Sequence, residues 1–89
     1  MKIKDKIMRL FKYENIDNIK ILKEFKEHPP RKSKMLERQF FYFISGKLLT
    51  LIVVDKDNYL RDGYTSYLIA KENNIKYVRV VRIWQITRE

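Results

Sequence analysis

A run of five residues, Asp62-Gly63-Tyr64-Thr65-Ser66, is the part of the sequence best suited to binding an anion. It follows a β-branched segment and opens an apolar segment with helical spacing, so we expect a strand to lead into a helix here. The first N–H groups of a helix lack partners within the helix, and the helix dipole is positive there. Gly63 would let a phosphate approach the backbone, and Thr65 and Ser66 would add hydroxyl donors. The run therefore predicts a phosphate-binding site at these five residues.

The same run also has a purely structural interpretation. Asp62 can be the N-cap of a helix whose first residue is Gly63, with no ligand bound. Any capped helix begins in a similar way, so the pattern alone leaves both interpretations open.

The remaining polar residues do not assemble a catalytic or a metal site. Asp55 and Asp57 fit a turn, because Asp side chains bond to their own backbone, and the EF-hand pattern fails at Tyr59. His28 is the only histidine and the chain has no cysteine, so neither a zinc site nor cysteine catalysis has support. We expect no metal and no required cofactor, and a nucleotide hydrolase or nuclease has the least support among the functions considered, because no base–nucleophile or metal arrangement stands out.

The balance of charge points towards polyanions. Twenty Lys and Arg residues face eleven Asp and Glu residues, which gives a formal charge of +9. A small basic domain attracts nucleic acid, anionic lipid or an acidic protein surface. An ordinary solvated surface rich in lysine explains the composition equally well, because no run of five basic residues occurs. For nucleic acid, the candidate contacts are Lys32, Lys34, Arg38, Arg61, Arg79 and Arg82.

The length of 89 residues fits one domain with one modest core. The absence of cysteine fits a reducing compartment, and no apolar run approaches the roughly 18 residues of a membrane span, so we expect a cytoplasmic protein. Residues 1–15 are expected to form a basic N-terminal helix or arm, because Ile3, Ile7, Leu10 and Phe11 have helical spacing. Packing of this helix on its own domain is favoured over a membrane or partner helix.

Hydrophobic periodicity predicts an α+β domain with a small mixed sheet and packed helices. A helix near 33–45 would begin at Ser33 and stop at Gly46. Its aromatic residues Phe40 and Phe43 are expected in the core, although aromatic side chains beside basic ones could also stack on bases. A second helix is predicted near 63–73, and strands are predicted near 19–22, 51–55, 59–61 and 77–83.

Residues 52–83, IVVDKDNYLRDGYTSYLIAKENNIKYVRVVRI, resemble the core of the ParB/sulfiredoxin-like superfamily. In that superfamily an I-V-V-D strand and a short return strand lead into a D-G helix, and a V-x-V strand follows. The resemblance implies a small α+β fold that binds nucleotide phosphates at the helix start, where Asp62 and Gly63 match. The sulfiredoxin cysteine is absent, which excludes sulfinic-acid reduction. Tyr64-Thr65-Ser66 replaces the arginine-containing ParB motif, so we expect any nucleotide to bind weakly.

Two functions are favoured over an enzyme. The first is a nucleic-acid-associated accessory protein of ParB-like type, for example from a mobile element, with a weak or vestigial nucleotide-phosphate site at Asp62-Gly63. The second is a protein-interaction module or inhibitor that keeps the fold without binding a ligand. The charge favours the first, and the missing loop arginine favours the second.

Overall fold

The computed structural model describes the backbone of residues 7–85 and the side chains of residues 12–83. Four strands form one sheet in the order β1-β4-β2-β3. Strand β1 is antiparallel to β4, β2 is parallel to β4, and β3 is antiparallel to β2, so the predicted mixed sheet is confirmed. The elements in chain order are β1 (Ile7–Asn15), a 3-10 turn (Ile16–Asn18), α1 (Lys23–Glu27), α2 (Lys32–Ser45), β2 (Ile52–Val54), β3 (Leu60–Asp62), α3 (Tyr64–Glu72) and β4 (Tyr77–Gln85).

The turn between β2 and β3 is formed by the predicted Asp and Asn residues. The carboxylate of Asp55 accepts hydrogen bonds from the backbone N–H groups of Asp57 and Tyr59, at 2.9 and 3.0 Å. Asn58 has a φ of 69°, a left-handed conformation that Asn tolerates better than most residues. These contacts fix where β3 returns, and thus where the chain enters α3.

The core lies on one face of the sheet, under α3. Ile52, Val54, Leu60 and Val80 supply its fully buried sheet residues. Ala70 of α3 is also fully buried, and its small side chain lets the helix approach the sheet closely. Burying a Val, Leu or Ile side chain contributes about 1.5–3 kcal/mol, so this layer holds α3 in place.

The N-terminal region is a strand where a helix was expected. Residues Ile7–Asn15 pair with β4 over nine positions, from Ile7 opposite Gln85 to Asn15 opposite Tyr77. The apolar spacing of Ile7, Leu10 and Phe11 fits a helix, but β4 offers a full row of backbone partners, and this pairing overrides the local pattern. Residues 1–6 of the predicted helix lie outside the described residues.

The predicted strand at residues 19–22 is also wrong. The chain meets β3 there at one point only, the bridge between Lys20 and Tyr59. Lys20 N–H donates to Asn58 O at 2.8 Å, and Leu60 N–H donates to Lys20 O at 2.9 Å. The segment must leave the sheet at once to enter α1 at Lys23, so pairing does not extend. Buried Ile19 still packs into the core.

Helix α2 presents its aromatic residues to solvent, contrary to expectation. Phe40 and Phe43 are 64% and 81% exposed. The helix packs mainly against α3, and Gln39 and Asn73 exchange side-chain hydrogen bonds across that contact, at 2.9 and 3.3 Å. The side of α2 that contains Gln39 meets α3, and the side that contains Phe40 and Phe43 is left to solvent.

The ends of α2 are partly as predicted. Gly46 takes the left-handed C-cap position with a φ of 74°, as expected of a helix-stopping glycine. The N-cap is Arg31 and not Ser33, and no side chain caps this end. Pro30 precedes the cap and holds the chain extended before the helix begins.

Candidate phosphate-binding site

A cavity of about 310 Å³ opens between the start of α3 and the first half of α2. The Asp62 loop forms one wall, and basic side chains of α2 form the opposite wall. We call it the α2–α3 pocket. Its lining residues are Phe25, His28, Pro30, Lys34, Arg38, Thr50, Asp62, Gly63, Tyr64 and Thr65.

Gly63 is required by backbone packing. It is the N-cap of α3 and has a φ of 86°, so the helix begins at Tyr64 and not at Gly63. A Cβ on Gly63 would lie 2.2 Å from the carbonyl oxygen of Leu51. The glycine therefore lets β3 and α3 pass close to the chain that enters β2. The fold requires a glycine at this position whether or not a ligand binds.

Asp62 is the last residue of β3 and not the N-cap of α3. Its carboxylate accepts a hydrogen bond at 2.9 Å from the N–H of Gly63. It does not reach the N–H groups of the first helical turn, which a capping side chain would bond. A carboxylate at the mouth of the pocket repels an anion, so a bound phosphate needs cations on the other side.

The first turn of α3 supplies three backbone donors. Within the described residues, no acceptor bonds the N–H groups of Tyr64, Thr65 and Ser66, and the first N–H bonded back along the chain is that of Tyr67, to Gly63 O at 3.0 Å. Such N–H groups point out of the N-terminal end of a helix, and two of these residues, Tyr64 and Thr65, line the α2–α3 pocket. The helix dipole makes this end favourable for negative charge.

Ser66 does not line the pocket, and its side chain stabilises the fold beside it. Its side chain is 2% exposed, and its hydroxyl donates to Thr50 O at 2.9 Å and lies 2.7 Å from the Thr50 hydroxyl. These bonds tie the start of α3 to the segment before β2. The expected hydroxyl donor at Ser66 is thus engaged in the fold, whereas buried Thr65 lines the pocket.

Lys34 and Arg38 provide the cationic wall of the pocket. They are one turn apart on α2, so their side chains emerge on the same side of the helix. Arg38 is half-buried, and its guanidinium makes no ion pair or hydrogen bond with the residues that the structure describes. The sequence placed both residues among dispersed basic positions, and nothing in it indicated that α2 would pack beside the Asp62 loop.

Three of the other predicted nucleic-acid contacts are exposed but lie away from the pocket. Lys32 is at the start of α2 and does not line the cavity. Arg61 forms an ion pair of 3.8 Å with Asp55. Arg61 and Arg79 each follow a core residue on their strand, so they lie on the sheet face opposite α3.

Arg82 is buried, which contradicts its predicted role on the surface. Its guanidinium donates to Asp55 O at 2.9 Å, to the side chain of Asn58, and to Glu14 at 3.1 Å, where it forms an ion pair. It lies on the core side of β4 and joins β1, β4 and the β2–β3 turn. A contact with nucleic acid would require this side chain to leave these partners.

Aromatic rings form the apolar side of the pocket. The rings of Phe25 and Tyr64 are tilted with centroids 5.4 Å apart, and Tyr64 stacks on Tyr67 at 6.1 Å. His28, the only histidine of the chain, is exposed and lines the same cavity. Its position before Pro29-Pro30 brings it beside the helix start.

Within residues 7–85, no cluster of three or more His, Cys, Asp or Glu side chains is arranged to hold a metal ion. Among the helices that the structure describes, none has the length and apolar character needed to cross a bilayer.

Comparison with known proteins yields structural neighbours. No protein-family model and no curated protein matches the chain. The C222₁ crystal form of a pNOB8-like ParB-N domain superposes with a TM-score of 0.74 at 20% identity, over 88% of this chain and 31% of that one. The chain has the ParB N-domain fold. A second pNOB8-like ParB N-domain structure gives a TM-score of 0.70 at 23% identity, over 89% of this chain and 29% of the other.

These matches confirm the fold that the sequence resemblance implied. The chain spans only about a third of the length of either solved chain. At this level of identity the ParB N-domain likeness establishes the architecture, and the chemistry of the site rests on this chain's own residues.

Proposed function

We propose that this chain is a nucleic-acid-associated domain of ParB-like type that binds a phosphate group in the α2–α3 pocket. The observation that carries the proposal is that Arg38, a half-buried residue, lines the same cavity as the start of α3. Unpaired N–H groups of Tyr64 and Thr65 lie at that helix start. A cation and oriented N–H donors around one cavity form the usual environment of a phosphate.

The charge of the pocket sets the expected affinity. Lys34 and Arg38 carry two positive charges, and Asp62 carries one negative charge. A hydrogen bond to a charged group contributes about 1.5–3 kcal/mol, and Asp62 opposes part of that gain. We therefore expect a free nucleotide to bind in the high-micromolar to millimolar range, roughly −4 to −6 kcal/mol.

Nucleic acid would bind more tightly than a single nucleotide, because the net charge of +9 adds non-specific attraction along a polyanion. The proposal is supported by the family resemblance of residues 52–83, which implies a phosphate site at the same helix start. It assigns the pocket one phosphate of the backbone or of a nucleotide, and it predicts no recognition of base sequence.

The test compares two charge-neutralising variants. Arg38→Gln should weaken the binding of ATP, CTP and a labelled DNA strand by about tenfold, which corresponds to 1.4 kcal/mol. Lys56→Gln is the matched control, because Lys56 is exposed in the β2–β3 turn and removes the same charge far from the pocket. Fluorescence anisotropy and calorimetry at low salt give the dissociation constants.

The two variants separate site binding from general attraction. If the pocket binds phosphate, Lys56→Gln lowers the affinity far less than Arg38→Gln does. Equal losses would show that only net charge matters, and they would remove the pocket from the proposal. Thermal melts of both variants check that each remains folded.

A further inference from the structure

The outer side of α2 carries an exposed apolar stripe. Leu36, Phe40, Phe43 and Ile44 are 70%, 64%, 81% and 68% exposed. They lie at positions i, i+4, i+7 and i+8, so they share one face and extend over about 12 Å of the helix. We call these four residues the α2 outer face. Large exposed apolar patches on soluble domains mark interaction sites.

A groove continues the α2 outer face towards the N-terminal end of the helix. It has a volume of about 750 Å³ and runs between the Pro29-Pro30 segment and α2. Leu36 and Phe40 belong both to the outer face and to this groove. The surface is therefore partly concave, and the side chains of a partner can insert beside Pro30.

Basic residues surround this surface. Arg31, Lys32 and Lys34 stand at its N-terminal end, and Lys47 stands at its C-terminal end. Glu37 is the only acidic residue between positions 31 and 47 of the sequence. The surface thus combines an apolar centre with a positively charged rim.

We propose that the α2 outer face and its groove bind an amphipathic helix of a partner protein, whose apolar stripe is flanked by Asp and Glu. An apolar stripe of two turns matches the length of the exposed face, and acidic flanks complement the basic rim. This inference does not rest on phosphate binding, because Phe43 and Ile44 do not line the α2–α3 pocket; Pro30 and Lys34 border both cavities.

Charge and shape favour this occupant over two others. A second copy of the chain would bring a basic rim against a basic rim, with +9 on each molecule. A bilayer would have to cover a concave groove that contains the carboxylate of Glu37. The tyrosine of α2, Tyr42, is half-buried on the other side of the helix, so the face lacks an interfacial aromatic anchor with a polar end.

The experiment uses designed probes. One labelled peptide of about 20 residues carries leucines at positions i, i+3, i+4 and i+7 with glutamates beside them, and its twin carries lysines in place of the glutamates. The full chain should bind the acidic peptide at least about tenfold more tightly than the basic peptide. Phe43→Ser should weaken binding of the acidic peptide by about tenfold or more, as expected for a central aromatic contact.

The control variant is Tyr13→Ser, which removes an aromatic ring that is 70% exposed on β1. It should leave peptide binding unchanged. Phe43→Ser should keep the melting temperature of the wild type, because the Phe43 ring is largely solvated. A loss of peptide binding in this variant is therefore not a loss of folding.

Equal binding of the two peptides, or full binding by Phe43→Ser, would overturn the proposal. Binding to anionic phosphatidylserine vesicles that depends on Phe43, or a dimer that Phe43→Ser dissociates, would overturn it in favour of a membrane or a second copy.

Discussion

Gly63 holds the start of α3 against the chain that enters β2. Its φ of 86° lies in the region that favours glycine, and the carbonyl oxygen of Leu51 occupies the space that a side chain would need. The D-G pair located the junction of β3 and α3 from sequence alone, but it suggested that the glycine serves a ligand. The close contact is with Leu51, twelve positions earlier in the sequence, and a local sequence pattern does not predict such a contact.

Substitution of the two glycines, Gly63 and Gly46, tests the packing role of Gly63. Gly63→Ala should lower the free energy of unfolding by about 2 kcal/mol or more, because it combines left-handed strain with a clash against backbone. Gly46→Ala is the matched control: its φ is 74°, and a Cβ there meets nothing within 4 Å. It should cost only about 1 kcal/mol, the strain alone. Urea unfolding gives both values, and equal losses at the two glycines would contradict the packing role of Gly63.

At the scale of elements, the sequence predicted the helices and strands whose local hydrophobic pattern determines their secondary structure. Strand β2, helix α2, helix α3 and strand β4 follow from β-branched runs, helical spacing and the stop at Gly46. Strand β1 does not follow from its local pattern, because its apolar spacing fits a helix and its strand structure depends on pairing with β4. The direction in which α2 faces also depends on a tertiary contact, that with α3. The sequence therefore did not predict the cationic side of the α2–α3 pocket, because Lys34 and Arg38 belong to α2.

The buried cluster around Arg82 joins three elements, and its removal gives a further prediction. Arg82→Met should destabilise the domain by about 2–4 kcal/mol, because Glu14 and Asp55 O then lose a charged partner inside the protein. Adding Glu14→Gln to this variant should recover part of the loss, since no unpaired charge remains. Chemical unfolding of the single and double variants measures the coupling. A loss below about 0.5 kcal/mol for Arg82→Met, typical of surface sites, would contradict the buried network.

At the scale of the whole molecule, positive charge lies on both sides of the sheet. Lys34 and Arg38 are on the helix side, whereas Arg61 and Arg79 are on the opposite face. The composition predicted a basic domain, but it could not indicate that the candidate contacts divide between two faces and that Arg82 is buried. Under the proposed function, a single nucleic-acid strand would contact one face at a time.

This distribution predicts moderate, salt-sensitive binding of nucleic acid. Affinity for a labelled duplex and a labelled single strand should fall roughly tenfold or more between about 50 and 200 mM salt, because each neutralised phosphate releases counterions. Changing the base sequence should have little effect. Anisotropy titrations at the two salt concentrations provide the measurement, and binding that is indifferent to salt would contradict an electrostatic interaction.

The central claim is that the α2–α3 pocket binds phosphate, and an NMR titration of the amide signals tests it most directly. On addition of millimolar ATP or CTP, the N–H signals of Tyr64, Thr65 and Ser66 should all shift. The shifts should saturate with a dissociation constant in the high-micromolar to millimolar range, which corresponds to a binding free energy of about −4 to −6 kcal/mol. The same signals should shift far less in Arg38→Gln, whereas Lys56→Gln should behave as the wild type. No shift of these three signals at millimolar nucleotide, or equal shifts in Arg38→Gln, would contradict phosphate binding in this pocket.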